Sequence, residues 1–242
     1  MTYRQCLPSP PLRGLVAAYW GIEDDAAAPA PRRILPDGCA DLICDFSGVV
    51  PRMRWVGTMT RAIEVTGGAR QSLFGIRFAP GGLFPLLGAP LSLLTDGSIS
   101  VDALPARWWQ PPLQAWGEDE GFAARCHRAD TSLQAVLPSL PAGEGTRVLR
   151  WLQHAPLVPS SASALADELG LGMRTLQRRF MDQLGVSPRQ HLRWLRFERA
   201  RQLLVNGEAR AVDVALAAGY SDQPHFVREF RRFAGVTPGR YR

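Results

Sequence analysis

Leu165-Ala166, Leu169-Gly170, Leu176, Arg178, Phe180 and Gly185-Val186-Ser187-Pro188 decide how this chain folds, because Val214-Ala215, Ala218-Gly219, Phe226, Arg228, Phe230 and Gly235-Val236-Thr237-Pro238 say nearly the same thing again. The offset is 49 residues before the central turn and 50 after it, so the second copy carries one extra residue there. Two copies of one small helical unit at this separation suit a reader of two adjacent segments on a long, regular partner. Double-stranded DNA is such a partner.

Each copy reads as helix, tight turn, helix. In the first, Ser161 caps a short helix with Leu165 and Leu169 at i, i+4, and Gly170 ends it. A second helix runs from about Met173 to Gln183, with Leu176, Phe180 and Leu184 on one stripe and Arg174, Gln177 and Arg178 on the other. In the second copy Val214, Ala215 and Ala218 form the first helix, Gly219 closes it and Ser221 is the expected cap of the next. There Phe226 and Phe230 face inward while Gln223, His225 and Arg228 face out. Arginine offers a two-pronged donor to the guanine edge and glutamine pairs with adenine, so these six outer residues are the expected base readers.

The stretch from about Glu144 to Arg242 resembles the double helix-turn-helix unit of the AraC/XylS family of bacterial transcription regulators. The residues carrying that resemblance are Gly219-Tyr220-Ser221-Asp222-Gln223, Phe226, Arg228, Phe230-Arg231, Gly235-Val236-Thr237-Pro238 and Tyr241-Arg242. It implies an opening helix over Arg147 to His154, a long linker helix over Gln190 to Val205, and two recognition helices in successive major-groove segments of promoter DNA. RNA polymerase and a second copy of the chain, as a homodimer, are further partners compatible with such a regulator. Three positions depart from the family pattern: Gly172 replaces a capping serine, Pro224 enters the first turn of the second recognition helix, and Arg210 stands where a serine or threonine commonly starts a helix.

Charge divides the chain in the same place. All 28 basic residues are arginine. From residue 142 on, 16 Arg face 9 Asp plus Glu, a net +7; over 1 to 141, 12 face 13, a net −1. Only the C-terminal part is therefore expected to meet a polyanion, with Arg189, Arg193, Arg196 and Arg232 as phosphate contacts. The basic helices leave no greasy face for a membrane, and no run of 18 apolar residues spans one. Met1-Thr2-Tyr3-Arg4-Gln5-Cys6 begins no signal peptide, so a cytoplasmic location with Cys6, Cys39, Cys44 and Cys126 as free thiols is expected.

The joint between the two parts is read at Pro138 to Thr146, giving an N-terminal unit over 1–140 and a DNA-binding unit over 144–242. Upstream, Ala40 to Phe46, Arg54 to Gly57 and Ser72 to Phe78 read as strands between Gly and Pro turns, and Gly121 to Leu137 as a closing helix. The expected class is α+β: a β-rich barrel or sandwich with flanking helices, followed by an all-α unit. Arg33-Ile34-Leu35-Pro36-Asp37-Gly38-Cys39-Ala40-Asp41-Leu42, Gly57-Thr58-Met59-Thr60-Arg61 and Leu73 to Gly82 make this half similar to an uncharacterised domain often fused to AraC-type units. That likeness implies effector sensing or dimerisation without naming a ligand.

No enzyme is expected. Asp37, Asp41 and Asp45 sit around a turn entering a strand, the histidines and cysteines lack metal spacing, and the Gly-rich segment from Gly75 to Gly88 lacks a phosphate-binding pattern. Neither a cofactor nor a metal is called for. Tyr19, Trp20, Trp55 and Phe74 are candidates to line a small-molecule effector pocket, with Arg61 and Arg77 for an anionic ligand. The alternative is that the aromatics form the core and the arginines pair with Asp37, Asp41 or Glu64. Trp108-Trp109 is a candidate dimer contact. Without an effector, the N-terminal half would be a dimerisation or scaffold module and DNA binding constitutive; the remaining alternative is a catalytic domain targeted to DNA, with Cys39 or Asp41 essential to it.

Overall fold

In the computed structural model the described residues are 2–24, 31–66, 70–117, 121–140, 148, 151–152, 158–206 and 211–241. Among the described residues of the N-terminal part eight strands form: β1 Thr2–Cys6, β2 Val16–Asp24, β3 Arg32–Ile34, β4 Ala40–Asp45, β5 Arg52–Val56, β6 Ile63–Val65, β7 Gln71–Phe78 and β8 Ser98–Ser100. Six of them make one sheet in the order β1-β2-β7-β4-β5-β8, with every pair antiparallel, and β3 and β6 make a separate ribbon. Among the described residues β1 and β8 are the edges of the larger sheet.

Alternation sorts the sheet into two faces. On one, Phe74, Ile76 and Phe78 of β7 lie beside Cys44, Leu42 and Ala40 of β4, with Tyr19 opposite Ile76 and Trp55 opposite Leu42. All are buried, and after helices α1 (Phe84–Leu87) and α2 (Leu113–Gly117), α3 (Phe122–Val136) adds Cys126, Ala129 and Leu133 to the same core. Trp109 and Trp116 complete an aromatic cluster there, Trp116 meeting Phe74 edge-on at 5.5 Å between ring centres. Trp109 is 3% exposed, so the Trp108-Trp109 pair is not the solvent-facing contact its sequence suggests: the core needs the second ring. The Cys6 and Cys126 sulfurs lie 3.1 Å apart, and all four cysteines are free thiols.

The opposite face carries Trp20, Asp41 and Arg77. The Trp20 ring lies across Gly75, where a Cβ would stand 2.0 Å from Cε2, and its Nε1 donates to Asp41 at 2.8 Å. Only glycine leaves room for the indole at that position. Burial pushes the Asp41 carboxyl up to about 6, opposed by the Arg77 guanidinium beside it.

The C-terminal part is helical: α4 Ala162–Leu169, α5 Met173–Leu184, α6 Pro188–Asn206, α7 Ala211–Ala217 and α8 Gln223–Ala234. Before α4, Val148 and Trp151 are buried in the first core of this part and Leu152 packs against it; the other residues of the expected opening helix, and Arg210, lie outside the described residues. Two cores form. Leu165, Leu176, Phe180, Leu184 and Leu192 make the first; Val214, Phe226, Phe230, Phe233 and Phe197 make the second. The linker helix contributes to both, Leu192 near its start and Phe197, Ala200 and Leu204 further on.

Candidate nucleic-acid interface

The repeated sequence builds a repeated frame. Gly170 (φ 62°) and Gly219 (φ 83°) end the leading helices in the left-handed conformation that a side chain disfavours, and Gly185 (φ 77°) and Gly235 (φ 72°) do the same for the recognition helices α5 and α8. After each leading helix the same backbone bond forms: Leu171 N–H to the Ala166 carbonyl and Tyr220 N–H to the Ala215 carbonyl, both at 2.9 Å. Phe180 rests on His191 with ring centres 5.7 Å apart, and its counterpart Phe230 rests on Tyr241 at 5.3 Å.

The caps differ. Ser161 caps α4, its hydroxyl accepting from the Ala164 N–H at 3.1 Å. Gly172 precedes α5 with no side-chain cap. For α8 the expected cap was Ser221, but Asp222 takes the role, accepting from the His225 N–H. The extra turn residue brings the carboxylate to the cap position and leaves the Ser221 hydroxyl to bond it. The His225 N–H holds the Asp222 carboxyl below the usual carboxylate range.

Burial places the candidate readers. Arg174, Gln177 and Arg178 are exposed along α5, and Gln223 and Arg228 along α8, each opposite a buried stripe. His225 is half-buried against the Tyr220 ring at 5.5 Å, with its Nδ1 3.2 Å from the Ser221 hydroxyl. Its ring thus leans on the turn, unlike the exposed side chains of Gln223 and Arg228.

The candidate phosphate contacts also divide. Arg189 and Arg232 are exposed. Arg196 is half-buried beside Gly219, with its Nε enclosed and lacking a hydrogen-bond partner. Arg193 is turned inward: its Nε donates to Glu229 Oε1 at 2.6 Å and its Nη2 meets the same oxygen. This corrects its assignment as a phosphate clamp. Glu229 is only 6% exposed on the core side of α8, and a buried carboxylate demands a partner. The sequence held the clue, an acid three residues after Phe226 on the inward stripe.

The candidate effector residues do not converge. Tyr19, Trp55 and Phe74 are within 1% of full burial in the core, Trp20 and Arg77 lie on the other face of the sheet, and Arg61 is exposed on the loop before β6. Arg77 pairs with Asp37 at 3.0 Å and lies 3.5 Å from Asp41, while Glu64 pairs with Arg33. Packing, not an open cavity, absorbs these rings, because stacked aromatics gain more from each other than from a void.

Sequence reasoning missed the seam between the two parts. The Trp194 Nε1 donates to the Pro36 carbonyl at 3.0 Å, and the Thr58 hydroxyl to the Leu184 carbonyl at 2.7 Å. The Thr95 hydroxyl donates to the Gly185 carbonyl. A cleft at this seam is lined by Gly38, Thr58, Met59, Gln190, His191 and Trp194. Burial holds His191 neutral, its pKa lowered to about 3.

Comparison with known proteins adds names to this geometry. Residues 165–242 match a family model described as a helix-turn-helix domain, and residues 4–100 match one described as a domain of unknown function, DUF6597. Over 91 residues, 38% of this chain, the sequence is 39% identical to the HTH-type transcriptional activator RhaS of Escherichia coli O9:H4 strain HS, covering 33% of that protein. The chain therefore spans about a third of the length of the curated relatives it matches. A transcriptional regulator from Chromobacterium violaceum, described as containing an AraC-type DNA-binding domain, is 36% identical over 34% of this chain and 73% of that one, with a TM-score of 0.33. ToxT from Vibrio cholerae aligns over 100% of this chain and 98% of its own at 10% identity and a TM-score of 0.46.

Proposed function

We propose that this chain is a transcription regulator of the AraC type that binds specific promoter DNA in two successive major-groove segments, a reading supported by the helix-turn-helix match over residues 165–242 and the likeness of that part to RhaS. The observation that carries this reading is the duplicated frame with Arg178 and Arg228 exposed at matching positions, one on each recognition helix. Base discrimination in the first segment falls to Arg174, Gln177 and Arg178, and in the second to Gln223 and Arg228. Arg189 and Arg232 supply the salt-sensitive phosphate contacts. The chain acts by binding, not by catalysis.

The N-terminal part has two candidate roles, effector sensing and scaffolding. The packed aromatic core favours the scaffold. An effector is tested by heat stability in the presence of metabolite pools, since a ligand at 100 times its Kd adds about 2.7 kcal/mol. The DNA reading is tested by capturing genomic fragments with the full-length protein and footprinting the best of them. Two protected major-groove segments about one helical turn, roughly 34 Å, apart are expected. Protection without sequence preference would reduce the module to a non-specific tether.

A further inference from the structure

We infer that Thr58, Thr95 and Gly38 are positioning residues for the two readers, and that the docked arrangement of the two parts is the DNA-competent one. The inference rests on the DNA-binding reading above and adds the sign of the coupling: the N-terminal part braces the readers and does not mask them.

The carbonyls at the C-terminal end of a helix have no partner within it. At the end of α5, those of Leu184 and Gly185 receive hydroxyl donors from Thr58 and Thr95, residues remote in sequence and belonging to the sheet-bearing part. The fit is close enough that a Cβ on Gly185 would stand 2.8 Å from both the Leu91 carbonyl oxygen and the Thr95 hydroxyl. On the linker helix, the Trp194 ring lies on Gly38, where a Cβ would meet it at 3.0 Å, and its Nε1 is held by the Pro36 carbonyl. At the second reader, Leu35 packs against the core around Phe230, and the Arg33 guanidinium passes 3.5 Å from where a Gly235 Cβ would sit. One surface thus touches the end of each recognition helix and the helix between them.

The seam spares the readers' outer faces. Arg174, Gln177, Arg178, Gln223 and Arg228 all stay exposed with the parts docked. A brace that fixes both readers without covering them lowers the ordering cost of engaging two DNA segments at once, as pre-organisation does generally. It offers no advantage when only one segment is available.

The experiment uses the full chain and a duplex enriched from a randomised pool by the wild-type protein, alongside the same duplex with one of its two segments scrambled. Thr58→Val with Thr95→Val removes the hydroxyls at constant shape, Gly38→Val separates the loop from Trp194, and Trp194→Phe keeps a ring without the donor. Thermal unfolding confirms that each variant is folded, and amide exchange reads the ends of α5 and α8. The seam variants are expected to lose about tenfold in affinity for the two-segment duplex, to match wild type on the scrambled one, and to exchange faster at the Gly185 and Gly235 turns. Equal affinity for the two-segment duplex, or a gain, overturns the brace. Equal loss on both duplexes does so too. Should the wild type enrich no duplex, the DNA reading itself fails, and unchanged exchange at the two turns would separately reject the seam as a restraint.

Discussion

The first reader starts at Gly172, which leaves the leading N–H groups of its helix without a side-chain partner, whereas the second starts at Asp222, whose carboxylate accepts the His225 N–H at 2.6 Å. One helix presents an open, electropositive end; the other carries its own anion there. Behind them the contrast continues, with Phe180 backed by the imidazole of His191, whose Nε2 has no hydrogen-bond partner, and Phe230 by the Tyr241, Phe226 and Phe197 rings. The two copies keep a common frame because the buried stripes and glycine turns dictate it. They differ at the caps of the recognition helices and in the ring that lies behind each inward phenylalanine.

The largest tests strike the frame. Phe180→Ala and Phe230→Ala should each cost about 3 to 5 kcal/mol in chemical denaturation, with the second at the upper end because it empties a ring cluster. A smaller loss at Phe230 would mean that the extra aromatic contacts contribute little. Arg193→Ala should cost about 3 kcal/mol, since it strands Glu229 in the core, and should leave the salt dependence of DNA binding unchanged. Arg232→Ala is expected to behave in the opposite way, folding normally while the salt slope falls by about one.

Acid should separate the two copies. The unfolded chain protonates His191 near its ordinary pKa of about 6.5, but the native state resists until about 3, so stability held above the first value drains away as pH falls toward the second. By pH 5 the loss is about 2 kcal/mol, and it should be confined to the first reader, because Phe180 rests on this imidazole whereas Phe230 rests on the Tyr241 ring. Asp41 works in the other direction: raised to about 6, it favours the native state most below the unfolded carboxyl pKa and loses that contribution as pH rises through 6. Amide exchange read separately at Phe180 and Phe230 avoids the cancellation that a global melt would suffer. Acid loosening of both sites together would show that the cores unfold as one.

Smaller effects concern the surfaces. Arg178→Ala and Arg228→Ala should each relax base preference in one DNA segment by on the order of tenfold, seen as selection from a randomised pool. Identical losses across all sequences would recast them as phosphate contacts. At the caps, Asp222→Ala should lower stability by leaving the His225 N–H without its acceptor, and Gly172→Ser should gain roughly a few tenths of a kcal/mol, both measurable by thermal unfolding.

Legibility followed the range of the interactions. The helices, their glycine stops and the inward phenylalanines were readable because each depends on neighbours within a few residues, as were the strands around Leu42, Trp55 and Ile76. The cap at Ser221 was read one residue early, since a single inserted residue shifts which side chain reaches the helix end. Trp109 looked exposed beside Trp108 because only the folded sheet reveals the space it fills. The Arg193–Glu229 pair and the seam at Thr58, Thr95 and Trp194 join residues far apart in sequence, and no local periodicity announces them.

The insertion that gives the second copy its Asp222 also makes the molecule lopsided. A symmetric dimer of identical readers sees the same duplex from either end, so its target has no arrow. Two readers in tandem on one chain, joined in fixed order by the linker helix, have no such axis, so on the proposed reading their target runs one way only. If the chain binds promoters as proposed, each binding event would record an orientation along the genome, and a single bound chain would tell left from right.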